Sequence, residues 1–104
     1  MKKENKTISI EAMRNNATKV EGLLKQLANA HRLLILCNMV DGAKSVSELT
    51  KAVGLSQSAL SQHLAKMKDS GIVLSEKQGQ SVYYKISSTE VQTILSMLYF
   101  MYCK

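Results

Sequence analysis

At 104 residues the chain is long enough for one domain and too short for two. An apolar fraction of 45% excludes a disordered polymer; with no Trp, no Pro and only Phe100 as phenylalanine, the core must be aliphatic and rich in methionine. No apolar run approaches the roughly 20 residues that span a bilayer, and no continuous apolar stretch follows the basic start MKKENKTISIEAM, so no membrane association, no signal peptide and a cytoplasmic chain are expected.

The formal charge of +6 is unevenly spread. Residues 1–20 carry five Lys or Arg against two Glu, and residues 51–85 carry Lys51, Lys66, Lys68, Lys77 and Lys85 against Asp69 and Glu76. Two basic zones around a neutral remainder suit a polyanion, because neutralising phosphates releases counterions. Many small proteins share this charge without binding nucleic acid, so the argument rests on the elements.

Residues 1–8 are polar and read as a flexible N-terminal tail. From Ser9 onward Met13, Ala17, Val20, Leu24 and Leu27 recur at i, i+4, i+7, i+11 and i+14, predicting a long helix that ends near Ala28. Its narrow stripe calls for a partner surface, either its own domain or a second copy of the chain. Residues 30–40 (AHRLLILCNMV) predict a second helix, apolar nearly all round and therefore central, with Gly42 as its left-handed cap. A third helix follows, where Ser45 and Glu48 have capping-box spacing and Gly54 closes. Ser56 then caps a fourth, with Leu60, Leu64 and Met67 inward and Gly71 as its stop. Two short helices around Gly54-Leu55-Ser56 are the pattern of a helix-turn-helix. After Gly71 the period shortens, and Val82, Tyr84 and Ile86 alternate with Tyr83 and Lys85 beyond a polar tip at Gly79. That hairpin is a wing. Ser87 and Glu90 repeat the capping spacing and open a last helix with Val91, Ile94, Leu95, Leu98, Met101 and Tyr102 on its apolar side.

The predicted fold is mainly α with a small β-hairpin. It is a dimeric winged helix-turn-helix occupying 9–104 as a single domain, with the first and last helices forming the dimer interface. This order resembles the ArsR/SmtB family of winged-helix repressors. The resemblance is carried by LLKQLANAHRLLILCNM (23–39), SVSELTKAVGLSQSALSQHLAKMKDSGIV (45–73) and QGQSVYYKIS (78–87), which span most of the chain. Within the family the chain resembles the BigR/SqrR/HlyU-type dithiol branch, which shares a cysteine in the LLILC segment and another in a terminal YC-x. These are Cys37 and Cys103 here.

A major groove admits one helix, whose outward residues near the N-terminus reach base edges. Those are Gln57, Ser58, Ser61 and Gln62, following the capping Ser56; Gln is suited to adenine and Ser to several bases. His63 is either a phosphate contact or a partly buried helix histidine. Lys66, Lys68, Lys77 and Lys85 are phosphate candidates, Gln78 and Gln80 flank the wing tip for the minor groove, and Ser47 and Thr50 help position the backbone. Tyr83 and Tyr84 divide between core and backbone contact. A dimer would present two recognition helices about 34 Å apart, matching double-stranded DNA with an inverted repeat.

Cys37 and Cys103 lie 66 positions apart and form neither CxxC nor zinc-ribbon spacing. Read alone, Cys37 is a small buried hydrophobe, while Lys104 beside Cys103 favours its thiolate. The resemblance implies more: a pair switched by reactive sulfur species or an oxidant through a di- or polysulfide bridge. No cofactor is expected. A metal-sensing repressor is the alternative within the family, but SVSELTKAV has no thiol and the last helix no His or Asp, so no metal ligands are assigned. An anti-repressor or a regulator with inert cysteines is a further alternative. An enzyme is not expected, because nothing in the sequence builds a pocket around an activated cysteine.

Overall fold

Helix α1 (Lys2–Leu27) leads into a short α2 (Ala30–Cys37) across a two-residue break. The structure, a computed structural model, describes the backbone of residues 2–103 and the side chains of residues 10–103. The helical backbone of α1 starts seven residues before Ser9. The segment KKENKTI contains good helix formers and neither Gly nor Pro, so nothing in it stops the helix. Among the described residues of α1, those that reach the core are at its C-terminal end, Leu27 and the partly buried Leu23. Met13 (57% exposed) and Leu24 (49% exposed) face outward, so most of the stripe is not packed on its own domain.

Asn29 caps α2 by accepting from the Arg32 N–H at 3.1 Å. Ile35 and Leu36 are completely buried, but Leu34 is 49% exposed, so α2 is central on one side only. The helix also ends earlier than the expected 40. Asn38 donates through its side chain to the Leu34 carbonyl at 2.7 Å, and the chain passes through turns before Gly42, whose φ of +147° belongs to the loop and not to a helix cap.

Strand β1 (Lys44–Ser45) precedes α3 (Val46–Val53), and α4 (Gln57–Asp69) follows it. Ser45 and Glu48 form the expected capping box: the Glu48 N–H donates to Ser45 Oγ at 3.1 Å, and the Ser45 N–H to Glu48 Oε1 at 2.8 Å. Gly54 closes α3 in the left-handed region at φ +80°. Ser56 caps α4, accepting from the Ala59 N–H at 3.2 Å. At the far end Gly71 (φ +78°) donates to the Lys68 carbonyl and Ile72 to the Met67 carbonyl, a double closure of the last turn.

Strands β2 (Val73–Gln78) and β3 (Ser81–Ile86) form the antiparallel hairpin, registered Val73 to Ile86 and Gln78 to Ser81. β1 adds to the free edge of β3, giving the order β1-β3-β2. Two residues are too few to show an alternating pattern, which is why the sequence did not announce β1. Helix α5 (Thr89–Tyr102) is capped by Ser88, not Ser87: Ser88 Oγ accepts from the Val91 N–H at 3.2 Å. Ser87 instead donates its hydroxyl to the Gly71 carbonyl at 3.1 Å. The core lies where α2, α3, α4 and α5 meet the hairpin base, with Leu36, Leu49, Leu60, Leu64, Met67 and Leu95 fully buried. Among the described residues no helix is long and apolar enough to cross a membrane.

Candidate DNA-binding face and thiol pair

The capped turn between α3 and α4 sets the geometry of the candidate face. With Leu60, Leu64 and Met67 pinned in the core, the helical repeat leaves Gln57, Ser58, Ser61 and Gln62 exposed on α4. A groove runs between α3, the start of α4 and the hairpin. It is lined by Ser47, Thr50 and Lys51 from α3, Gln57 and Ser61 from α4, and Gln80 and Ser81 from the tip. Ser58 and Gln62 are exposed outside that groove, and Ser58 Oγ lies 3.4 Å from the capping Ser56 Oγ. Lys66 projects to solvent one turn beyond Gln62, while Lys77 and Gln78 project from the hairpin.

Several candidates have other engagements. Thr50 Oγ1 donates to the Val46 carbonyl at 2.8 Å, so its hydroxyl proton is already used. Lys68 Nζ donates to Ser75 Oγ at 2.8 Å, tying the end of α4 to β2. Tyr84 packs against the core, Tyr83 is half-buried, and Lys85 is exposed. His63 turns away from the groove toward α2, its ring centroid 6.0 Å from that of His31. Burial, then Arg32, His31 and Lys66, hold His63 below the usual histidine range. Lys51 is a groove residue that the sequence reading counted only as charge. Its signal was available: Ser47 and Lys51 are four apart on one helix and therefore share a face.

The two cysteines, distant in sequence, are brought together. Cys37 is the last residue of α2 and half-buried; Cys103 caps α5 and is exposed, its N–H donating to the Tyr99 carbonyl at 2.8 Å. Both are free thiols. Burial pushes the Cys37 thiol up, and the Cys103 sulfur adds to this as a neighbouring charge and as a hydrogen-bond partner. The expectation that Lys104 acts on Cys103 falls on a residue outside those described. Among the described residues no three His, Cys, Asp or Glu side chains cluster in a way suited to a metal ion.

Comparisons with known proteins agree with this architecture. A profile of the family described as bacterial regulatory protein, arsR family, matches residues 29–75, from the α2 cap into β2. The transcriptional activator HlyU of Vibrio cholerae serotype O1 is 44% identical over 97 residues, covering 93% of this chain and 90% of that protein. The biofilm growth-associated repressor of Xylella fastidiosa is 33% identical over 93 residues, covering 89% and 82%. The solved structure of reduced HlyU from Vibrio cholerae N16961 superposes with a TM-score of 0.85 at 46% identity, over 90% of this chain and 99% of that one. With matches of this identity over nearly its whole length, and with a helix-turn-helix and wing of the same build, the chain belongs to the arsR family of winged helix-turn-helix, DNA-binding transcriptional regulators.

Proposed function

We propose that the chain is a homodimeric regulator that binds an inverted-repeat operator and is switched by oxidation of Cys37 with Cys103. The observation that carries the switch is the meeting of these thiols at the ends of α2 and α5. On the DNA side, Gln57, Ser58, Ser61 and Gln62 read base edges in the major groove, Gln78 and Gln80 enter the minor groove, and Lys51, Lys66 and Lys77 meet phosphates. Dimerisation covers the apolar side chains that α1 and α5 leave open, Met13 and Leu24 on one and Met97, Met101 and Tyr102 on the other. The relatives named above include an activator and a repressor; this chain acts on a promoter directly or by displacing another regulator from it.

The chemistry uses the difference between the two thiols. Exposed Cys103, as thiolate, attacks the terminal sulfur of a low-molecular-weight persulfide, RS–SH. The S–S bond of the donor breaks, RS⁻ leaves, and Cys103 carries the sulfur as a persulfide. Cys37, once deprotonated, attacks the inner sulfur of that persulfide and hydrosulfide leaves. The protein gains a Cys37–Cys103 disulfide while the transferred sulfur takes up the two electrons. Joining α2 to α5 changes the seating of α5 at the dimer seam, and with it the spacing of the recognition helices. The test measures affinity for the operator before and after persulfide treatment, with mass spectrometry of the product. A Cys37–Cys103 linkage and at least tenfold weaker binding are expected. Persulfide-treated protein that carries the bridge yet binds unchanged, or that forms no bridge, would remove the switch.

A further inference from the structure

Beside the recognition helix, on the flank facing α2, lies a cluster that the base-reading face does not use. His63 of α4 is half-buried there, and His31 of α2 is exposed at 6.0 Å between ring centroids, the rings tilted by 38°. Arg32 of α2 is close enough to act on His63 as a positive charge. Its Nη1 makes only long contacts to the Gln26 carbonyl and Oε1, at 3.5 and 3.4 Å, and its Nε is buried with no hydrogen-bond partner. Lys66 is exposed one turn along α4 from His63. The charged and titratable groups acting most on His63 come from α2 and from its own helix, and all are cationic when charged. In the neighbouring elements, Glu48 is bonded in the α3 capping box, Lys51 lines the groove, Glu21 and Lys25 of α1 pair with each other, and Glu76 and Lys77 are exposed on the hairpin. No acidic residue occupies the first turn of α2.

We propose that His31, His63 and Lys66 form a phosphate-binding point for the DNA backbone, in which a protonated imidazole is a ligand, so that binding of duplex takes up a proton. The proposal rests on the DNA-binding reading and extends it to a residue set outside the groove. Two imidazoles alone are a poor cation site when Arg32 and Lys66 add positive potential, whereas an anion suits the same field. A phosphate diester is the anion that a recognition helix brings to its own flank, since the strands bounding the major groove pass on either side of the inserted helix. In the free protein, burial and the surrounding positive charges disfavour the His63 imidazolium. A phosphate reverses the local sign and favours the imidazolium. Affinity therefore rises as pH falls through the interval between the free and bound titrations of His63, by at most about tenfold per pH unit for each proton taken up.

The experiment follows the imidazole resonances of His31 and His63 by NMR in the reduced full-length protein, free and saturated with a mixed-sequence duplex at low salt. The His63 midpoint is expected below the ordinary histidine value when free and to move upward with duplex. His63→Gln should flatten the pH dependence of affinity. His31→Gln should reduce the upward movement of His63. An unmoved His63 midpoint in a saturated complex overturns the proposal and leaves DNA binding standing. Absence of duplex binding at any pH overturns both.

Discussion

Burial and then the Cys103 sulfur push the Cys37 thiol up. In the proposed switch this divides the labour of the pair: the exposed member attacks and the half-buried one resolves. The same shift has a thermodynamic consequence. A thiol with a raised native pKa binds its proton more tightly when folded than when unfolded, so the unfolded state loses protons first as pH rises. The resulting stabilisation is complete below the unfolded thiol pKa and fades as pH climbs through the native one. Reduced protein is therefore expected to lose stability on the alkaline side of the free-thiol range. Cys37→Ser should lose that alkaline dependence, measured as denaturant midpoints across pH; an unchanged alkaline slope in the variant would contradict the assignment. His63 illustrates the opposite limit of local reading. Its position beside Gln62 is visible in the chain, but its neighbour His31 comes from another helix and only the fold supplies it.

At the scale of elements, the helix-turn-helix is the part most legible in sequence, because local chemistry defines it. The Ser45–Glu48 box, the Ser56 cap and the left-handed Gly54 and Gly71 each act within a few residues of themselves. What spacing leaves unresolved are the choices between adjacent candidates. Ser87 and Ser88 both precede α5, and only Ser88 caps it, since Ser87 is drawn to the Gly71 carbonyl. Asn38 ended α2 before Gly42 was reached, because its side chain takes a carbonyl of the last turn. The DNA contacts proposed for the groove are of two kinds that mutagenesis can tell apart. Gln57→Ala is expected to cost about 1–3 kcal/mol against the preferred base pair and to relax sequence preference there. Lys51→Ala should weaken binding to all sequences alike and lower the salt dependence of log K by about one unit. Affinity titrations over several salt concentrations check both; a sequence-selective effect of Lys51→Ala would move that residue from phosphate to base.

For the whole molecule, the proposed dimer seam consists of the apolar side chains left open on α1 and α5. Leu24→Glu places a charge in that seam without touching the core, where α1 contributes Leu27. The variant is expected to sediment as a folded monomer and to lose at least tenfold in operator affinity, since one subunit then holds one half-site. A dimer that survives the substitution would place the seam elsewhere. The thiol pair belongs to this scale too, because two residues on separate helices become partners only when α2 and α5 pack. One junction has a mechanical consequence. The Ile72 carbonyl accepts from the Ser87 and Ser88 N–H groups at 2.8 and 3.4 Å, and Ser87 Oγ returns a bond to Gly71. The stop of the recognition helix and the start of α5 are thus riveted at one point, while Cys103 sits at the other end of a rod about 21 Å long. For the proposed switch that makes α5 a lever, with its fulcrum against the end of α4 and its Val91 and Leu95 seated in the shared core: a pull at the thiol end is carried to the stop of α4 through the rivet and through these core contacts. Ser87→Ala should loosen the fulcrum, leaving reduced-state affinity nearly unchanged while shrinking the difference between reduced and bridged protein.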